Sequence, residues 1–205
     1  MGTTQAEAER QQDPEEAARQ AVYAFLARVL AASPEATELN AVAPFAADDT
    51  ALGRAFAAFR NTLATADPEK LEREYHDLFI GVGRGELVPY GSYYLTGFLN
   101  EKPLADLRRA HERLGFARAD GVNEPEDHIA AVCETMALLI EGTAEGEFTV
   151  YDQDGFFKAH LAPWGEKFFA DLASAENAGL YRSVGEIGEA FMQIEEEGFT
   201  LIARA

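Results

Sequence analysis

Ten acidic residues lie in the interval 119–157, which contains no lysine or arginine. Glu124, Glu126 and Asp127 crowd together in this interval, and His128 follows them directly. Acids at a helix start stabilise the helix dipole by about 0.3–1 kcal/mol each, so helix capping is one explanation. Three acids and a histidine within five residues are more than helix capping needs. We therefore predict a site in which carboxylates pair with guanidinium groups beside apolar surface, where bidentate pairing strengthens as water is excluded.

Histidine spacing gives no support for a metal site. The residues three positions before the four histidines are arginine, arginine, proline and phenylalanine, in the order His76, His111, His128 and His160. A ferritin-like site needs glutamate at that spacing, and a His-Glu-x-x-His motif is also missing from the sequence. We predict that no metal is bound and that His111, on the apolar face of its helix, is a core histidine.

Candidate nucleophiles and acid–base pairs are weak in this sequence. Ser92 and Cys133 have no partner that the sequence reveals, and Cys133 lies in an apolar stripe, where it behaves as a small hydrophobe. Asp127 and His128 could form an acid–base pair, but neighbouring residues on a helix point about 100° apart. A small helical enzyme that uses Asp127 and His128 therefore stays an alternative to a binding protein.

The glycine-rich stretch Gly81-x-Gly83-x-Gly85 resembles a phosphate-binding loop only superficially. It lacks the Lys-Ser/Thr ending of a P-loop, and the pattern predicts no strand before it. We interpret it as a flexible turn between helices and predict no cofactor. Binding of a guanine nucleotide is the one alternative that we leave open.

Composition excludes several classes of protein. The chain has 205 residues, of which 47% are hydrophobic, and its formal net charge is −19. Such a chain can bury a core, and it should repel nucleic-acid phosphates and anionic lipid surfaces. One cysteine excludes an internal disulfide, and the N-terminus has neither the cationic nor the apolar region of an export signal. We predict a cytoplasmic protein without nucleic acid or stable membrane insertion.

Proline placement predicts where helices begin. Asp13-Pro14-Glu15, Ser33-Pro34-Glu35 and Asp67-Pro68-Glu69 each join an N-cap residue, a proline at the first helical position and a first-turn acid. Asn123 and Glu126 have the spacing of a capping box and predict a fourth start. Helical stripes follow, among them Ile129, Val132, Cys133, Met136 and Ile140.

These patterns predict an all-α fold, a single compact helical domain of about eight to ten helices without a significant β-sheet. We expect residues 1–12 to be a disordered polar tail and residues 13–205 to form the domain. The longest irregular stretch covers residues 81–91, and Pro163 is expected to break or kink the helix that contains it. Long loops in a helical domain are often functional.

Three blocks of sequence resemble the TorD/DmsD family of chaperones, which is related to the NarJ-type chaperones. They are Tyr75-His-Asp-Leu78-Phe79-Ile-Gly81, Pro89-Tyr90-Gly-Ser92-Tyr93-Tyr94 and Glu124-Pro125-Glu-Asp127-His128. The resemblance runs in the right order over about residues 15–200. The chain departs from many members of this family at Tyr90, where they carry tryptophan, and at Gly91, where they often carry glutamate. These differences leave open which protein the chaperone would bind.

This resemblance implies an all-helical fold and no catalytic turnover. It also implies a cytoplasmic chaperone that binds the twin-arginine signal peptide and the apo form of a molybdenum-containing redox enzyme, and assists cofactor insertion. The molybdenum cofactor would belong to the client. The implied client-binding residues are Tyr75, Leu78, Phe79, Gly81, Pro89, Tyr90, Ser92, Tyr94, Glu124, Pro125, Asp127 and His128.

We assign Glu124 and Asp127 to pairing with cations, and His128 to a hydrogen bond or a pH-sensitive contact. Leu78, Phe79, Pro89, Tyr90 and Tyr94 are predicted to line an apolar groove, with core packing as the alternative for the aromatic residues. Ser92 is expected to cap the helix after the loop. An acidic scaffold without peptide specificity is the second functional hypothesis. We expect either a monomer or a helix-exchanged dimer.

Overall fold

Helices dominate the protein, whose computed structural model describes residues 13–34, 45, 48–118, 121 and 123–202. Within these residues there are nine α-helices and no strand. They are α1 Pro14–Ala31, α2 Ala51–Ala64, α3 Pro68–Tyr75, α4 Gly91–Thr96, α5 Lys102–Leu114, α6 Ile129–Glu145, α7 Val150–Phe156, α8 Gly165–Ser174 and α9 Leu180–Ile202. Two π-helical segments, His76–Ile80 and Phe157–Leu161, follow α3 and α7. The predicted all-α fold is confirmed.

Two of the four predicted helix starts are as expected. The Asp13 and Asp67 carboxylates accept the backbone N–H of Glu15 at 2.9 Å and of Glu69 at 3.0 Å, with proline at the start of each helix. The prediction at Ser33-Pro34-Glu35 extends beyond residue 34, outside the described residues, as does the predicted tail at residues 1–12.

The fourth predicted start is wrong. Helix α6 begins at Ile129, and its N-cap is His128 rather than Asn123. The residues before it form turns in which the Pro125 carbonyl accepts the His128 N–H at 3.1 Å. The capping-box spacing gave a wrong prediction because the Glu126 carboxylate pairs with Arg108 and Arg118 instead of accepting the backbone N–H of Asn123.

The core is formed where α1 packs against α6 and where α9 packs against α2 and α8. Two glycines of α9 permit the close approach of α8. A Cβ at Gly185 would lie 2.4 Å from the Ala173 backbone nitrogen, and one at Gly188 would lie 2.1 Å from the Phe169 ring. No helix in the described residues is long and apolar enough to cross a membrane.

A buried ion pair, which we call the α1–α9 clasp, joins the first and last of these helices. The Arg19 guanidinium donates to both carboxylate oxygens of Glu195, at 2.6 Å and 2.8 Å. The Tyr23 hydroxyl donates to Glu195 as well, at 2.9 Å. Only 2% of the Glu195 side chain is exposed. Burial and the adjacent carboxylate raise the pKa of Tyr23, so its hydroxyl keeps the proton that it donates.

Carboxylates from distant parts of the chain hold the connections. Glu74 accepts the backbone N–H of Gly179 and of Tyr181, both at 2.8 Å, and so caps the start of α9. Glu86, in the irregular stretch 81–90, accepts the N–H of Asn177 at 3.0 Å. This stretch was expected to be irregular and is so, up to the start of α4 at Gly91. The predicted break at Pro163 is also confirmed, since turns separate the second π-helical segment from α8.

Candidate functional site

A groove of about 660 Å³ runs between α1 and α6 and is called the α1/α6 groove. Small side chains dominate its floor, because both helices present alanines to it. From α1 these are Ala24, Ala27 and Ala31, and from α6 they are Ala130, Ala131 and Ala137. The spacing of the α1 alanines keeps them on one side of that helix. Their small size leaves the space between the helices unfilled.

Charged side chains stand along the rim of the groove. Glu124, Glu134 and Glu141 line it, and all three are exposed. Arg28 lines it from α1. Leu138 lies between Glu134 and Glu141 and is 43% exposed, which adds apolar surface to the acidic rim. The groove can therefore accept an apolar segment whose cationic groups reach the carboxylates.

One end of the groove is built where the irregular stretch 81–90 meets the start of α6. Tyr90 and His128 form an isolated antiparallel β-bridge. The Ile129 N–H donates to the Pro89 carbonyl, and the Gly91 N–H donates to the Asp127 carbonyl, both at 2.9 Å. This pairing holds the two segments together, although they lie far apart in the sequence.

The side chains at this end are connected by hydrogen bonds. The Tyr90 hydroxyl donates to the Glu124 carboxylate, and the Tyr75 hydroxyl donates to the Ala31 carbonyl at 3.0 Å. Burial and the hydrogen bond to Glu124 raise the pKa of Tyr90. The His128 ring packs edge-on against the Tyr90 ring, with the centroids 5.2 Å apart. Tyr75, Glu124 and His128 line the groove itself.

His128 is held uncharged by its surroundings. Its Nδ1 accepts the Ala130 N–H at 3.2 Å, which caps α6 and places the proton of the neutral ring on Nε2. Burial lowers the pKa of His128, and the nearby carboxylates of Glu124 and Asp127 oppose this effect in part. The ring therefore acts as a cap and as a wall of the groove at neutral pH.

Asp127 does not line the α1/α6 groove. Only 3% of the residue is exposed, and its Oδ2 accepts the backbone N–H of Ser92 at 2.8 Å and the Ser92 hydroxyl. The prediction that Ser92 caps helix α4 is wrong, because Ser92 lies inside the helix and Asp127 supplies the accepting oxygen. Contrary to the prediction from the sequence, Asp127 is therefore not placed to pair directly with a cation in this groove.

The neighbouring acid Glu126 is already engaged within the protein. Arg108 donates to it at 2.8 Å, and Arg118 lies 2.7 Å from the same oxygen. Partial burial alone would raise the pKa of Glu126, but the hydrogen bonds from the two arginines lower it to about 2. Of the crowded acids before His128, only Glu124 lines the groove.

The other predicted binding residues lie outside the groove. Leu78 is fully buried in the core. Phe79 packs against Tyr75 and Tyr181, with ring centroids 5.2 Å and 5.3 Å apart, and Tyr94 packs against Trp164 at 5.5 Å. The remaining three act through the backbone: Pro89 and Pro125 accept hydrogen bonds, and Gly81 adopts a φ of 61°.

Sequence reasoning missed most of the groove lining. The alanines of α1 were not singled out, although their spacing of three and four residues was visible. Gln20 and Arg28 were also missed. Glu134 and Glu141 were counted in the acidic interval but not assigned a role. Seven residues apart, they share a helix face, and this was the available signal.

Within the described residues, no group of three or more histidine, cysteine or acidic side chains has metal-binding geometry. The glycine-rich stretch has a packing explanation at two positions. A Cβ at Gly85 would lie 2.5 Å from the Phe79 carbonyl carbon, and one at Gly81 would lie 2.1 Å from the Arg84 carbonyl oxygen. These glycines allow the chain to fold back on itself, and a nucleotide is not needed to explain them.

Together these features define an all-helical protein with a preformed groove that suits a polypeptide segment. The family model described as nitrate reductase delta subunit matches residues 45–170, and the chain belongs to this TorD/NarJ family. A protein assigned to redox enzyme maturation in Archaeoglobus fulgidus has a crystal structure with the same fold. Its TM-score is 0.57 at 21% identity, and the match covers 85% of this chain and 93% of that one.

Curated relatives carry the name chaperone protein TorD. The protein from Vibrio cholerae serotype O1 is 30% identical over 131 residues, which cover 60% of each chain. The proteins from Aliivibrio fischeri and Photobacterium profundum are also 30% identical, over 134 and 151 residues, and cover 62% and 67% of this chain. This chain spans 60% of the length of the Vibrio cholerae relative. These relatives are named as chaperones and not as enzymes.

Proposed function

We propose that this protein is a cytoplasmic maturation chaperone for a molybdenum-containing redox enzyme and that it binds the client's twin-arginine signal peptide in the α1/α6 groove. The names of the curated relatives and the family support the first part of the proposal. The second part rests on one observation: an alanine floor and three exposed rim carboxylates occur in the same groove. No catalytic turnover is part of this function.

The groove suits both halves of such a peptide. A twin-arginine peptide carries an arginine pair followed by an apolar stretch. The alanine floor, with Leu138, offers apolar area, and burial contributes about 25 cal/mol per Å² before the costs of ordering. The rim carboxylates offer partners for the planar guanidinium groups, which pair with carboxylates through two hydrogen bonds at once.

Glu124 is the rim acid that we assign to the first contact with an arginine. Its carboxylate is exposed, so a ligand can reach it from solvent, while the Tyr90 hydroxyl holds it in place. A guanidinium that arrives can use the lone pairs that Tyr90 does not occupy. Glu134 and Glu141 lie further along the groove and extend the acidic rim.

Holding the apo form of the enzyme until its cofactor is inserted completes the proposal. The molybdenum cofactor belongs to the client in this scheme, and the chaperone itself needs no cofactor. The groove is open to solvent along the exposed side chains of Glu134 and Leu138, so a peptide can enter and leave without unfolding the chaperone.

Calorimetry with a synthetic twin-arginine peptide tests this function. Filling the groove by Ala24→Phe should weaken binding by about tenfold or more, because the added ring occupies apolar contact space. Ala21→Phe is the matched control, since Ala21 is exposed on the same helix and does not line the groove. Its affinity should stay within about twofold of the unchanged protein.

The same titration separates charge from apolar contact. Changing both arginines of the peptide to lysine should weaken binding, and changing the apolar stretch to serine should weaken it further. Added salt should reduce the affinity, since exposed charges are screened beyond about 8 Å at physiological ionic strength. Binding that ignores salt and accepts lysine equally would favour the acidic scaffold without peptide specificity. Equal losses for Ala24→Phe and Ala21→Phe would place the peptide elsewhere.

A further inference from the structure

The C-terminal part of helix α9 exposes an apolar ridge. Ile194 is 48% exposed and Leu201 is 66% exposed, and the exposed Gly198 lies between them. Their spacing of four and three residues places them on one side of the helix. We call Ile194, Gly198 and Leu201 the α9 ridge. Its exposure shows that no described part of the chain covers it.

A hollow lies on each side of the α9 ridge. The first, of about 480 Å³, is called the α1/α9 hollow, and its apolar lining includes Val22, Leu52 and Phe191. The second, of about 410 Å³, is called the outer hollow and is lined by Thr200 among others. Leu201 lines both hollows, so the ridge and the two hollows form one continuous surface. Apolar surface of this extent is typical of an interaction site.

Gly198 is not required by the packing of the described chain. A Cβ at this position would meet no heavy atom within 4 Å, whereas Gly185 and Gly188 of the same helix are needed for the contact with α8. Glycine inside a helix is less favourable than alanine, so an unneeded glycine weakens α9. It also allows the backbone of a second helix to approach closely. Gly198 therefore suits a contact with a helix from outside.

Carboxylates flank the α9 ridge on both sides. Glu15 and Glu16 of α1 line the α1/α9 hollow, and Glu196 and Glu197 line the outer hollow. Among the described lining residues of the two hollows, the one cation is Arg19, which the α1–α9 clasp already holds. The surface thus has an apolar centre and negative edges, and a partner with an apolar centre and positive edges is complementary to it.

We propose that the α9 ridge docks an amphipathic helix of a partner protein, which carries a small residue where it crosses Gly198 and basic residues along both edges. Ile194 and Leu201 contact its apolar stripe. Helices dock in this way through apolar residues spaced three, four and seven positions apart. A second copy of this chain is disfavoured as the partner, because each copy carries a net charge of −19 and the same acidic edges.

The α9 ridge is separate from the α1/α6 groove. Neither of its hollows shares a lining residue with that groove. On α1, the groove is lined by residues between Gln20 and Ala31, whereas the α1/α9 hollow is lined by residues between Glu15 and Val22. A helix on the ridge and a twin-arginine peptide in the groove can therefore be bound at the same time.

Fluorescence anisotropy with labelled model peptides tests the proposal. The ridge peptide is fluorescein-labelled AKKLAKALKKLAKA, whose leucines share one side of a helix and whose lysines occupy the rest. One control, AKLKAKALKAKALK, has the same composition but spreads the leucines around the helix. A second control replaces every lysine by glutamate. The ridge peptide should bind in a saturable way, the spread peptide should bind about tenfold more weakly, and the glutamate peptide should not bind.

Substitutions of exposed apolar residues locate the contact. Ile194→Ser and Leu201→Ser should each weaken the ridge peptide by about fivefold, because apolar contact area is lost. Leu138→Ser is the matched control, since Leu138 is 43% exposed on a helix but lines the α1/α6 groove. It should leave the affinity for the ridge peptide within about twofold. Circular dichroism checks that all three variants are folded.

Gly198→Gln should have two effects of opposite sign. Glutamine favours a helix more than glycine does, so the midpoint of urea denaturation should rise. The new side chain blocks close approach and should weaken the ridge peptide by about tenfold. Gly155→Gln is the matched control, because Gly155 is also helical with no atom within 4 Å of a Cβ and lines neither hollow. It should leave the affinity within about twofold.

Equal binding of the ridge and spread peptides would overturn the proposal, as would equal losses for Ile194→Ser and Leu138→Ser. Unchanged affinity in Gly198→Gln would overturn the close approach of a helix. A saturating twin-arginine peptide should leave the affinity for the ridge peptide within about twofold, and competition between the two would place the helix in the α1/α6 groove instead. Twin-arginine binding is measured separately with Ala24→Phe, so either proposal can fail without the other.

Discussion

Helix α1 has two faces that use charge in opposite ways. On one face Arg19 forms the buried α1–α9 clasp with Glu195. On the other face the alanines of the α1/α6 groove lie beneath exposed carboxylates such as Glu134. Acids that are buried and paired fix the positions of helices, whereas exposed acids beside apolar surface stay accessible to a ligand. The net charge of −19 does not distinguish these two uses.

The same distinction applies throughout the molecule. Glu74 accepts a backbone N–H at the start of α9, and Glu86 accepts one in the turn before that helix. Glu126 binds two arginines. These acids hold the fold. Some acids of this chain therefore stabilise the fold, whereas others stay accessible to a ligand. Only the contacts in the folded structure show which acid belongs to which group.

The largest expected effect comes from breaking the clasp. Glu195→Ala removes the carboxylate that Arg19 and Tyr23 share, while Arg19 keeps its hydrogen bonds to Glu16 and Gln153. It should lower the free energy of unfolding by about 2–3 kcal/mol. Urea denaturation followed by circular dichroism measures this change. Glu197→Ala is the control, because Glu197 is exposed on the same helix and should change stability by less than about 0.5 kcal/mol. Similar values for both variants would contradict a structural role of the clasp.

The opposite face should show the reverse behaviour. The combined change Glu124→Gln, Glu134→Gln and Glu141→Gln should alter the free energy of unfolding by no more than about 0.5 kcal/mol. Affinity for a twin-arginine peptide should fall about tenfold, or about 1.4 kcal/mol, because each guanidinium loses a charged partner. Urea denaturation and calorimetry on the same sample compare the two quantities. A large loss of stability with unchanged affinity would remove the contrast between the two faces.

The smallest expected effect is a dependence of stability on pH at the end of the groove. Burial lowers the pKa of His128 below its ordinary value of 6.5, so the unfolded chain takes up this proton before the folded one does. The stabilisation is complete above pH 6.5 and is lost as the pH falls further. The loss should grow as the pH falls from 7 to 5.5, with a slope of no more than about 1.4 kcal/mol per pH unit for one proton.

His128→Asn isolates this contribution, since asparagine can cap α6 without titrating. The variant should lose less stability than the unchanged protein over the same pH range in urea denaturation. His76→Asn is the control, because His76 is exposed, and it should follow the unchanged protein. Burial also lowers the pKa of His111 and of His160, so part of the pH dependence survives in His128→Asn. A variant whose pH dependence equals that of the unchanged protein would contradict the contribution of His128.

Local patterns in the sequence predicted the helices well. Proline after aspartate predicted the starts of α1 and α3, and apolar spacing predicted the buried face of α6. These signals work because capping and amphipathicity act over a few residues. The start of α6 was misplaced because Glu126 bonds to Arg108, eighteen residues away, which no local pattern reveals.

The candidate site was predictable only in part. The family resemblance and the local acids led to Glu124 and His128, which do line the groove. They also led to Asp127, which is buried and does not line the groove, because its Oδ2 binds Ser92, thirty-five residues earlier. Alanines give no chemical signal of their own, so the floor of the groove becomes visible only when α1 and α6 are placed side by side.

The distance of 176 residues between the partners of the α1–α9 clasp has a consequence for synthesis. Arg19 leaves the ribosome first, and Glu195 follows 176 residues later. At about 5–20 residues per second this delay is roughly 10–40 s. Throughout this interval the nascent chain lacks α9, and the aromatic side chains that α9 covers stay accessible to water. The core can therefore close only after α9 has followed the other described helices out of the ribosome, although its first helix was made long before.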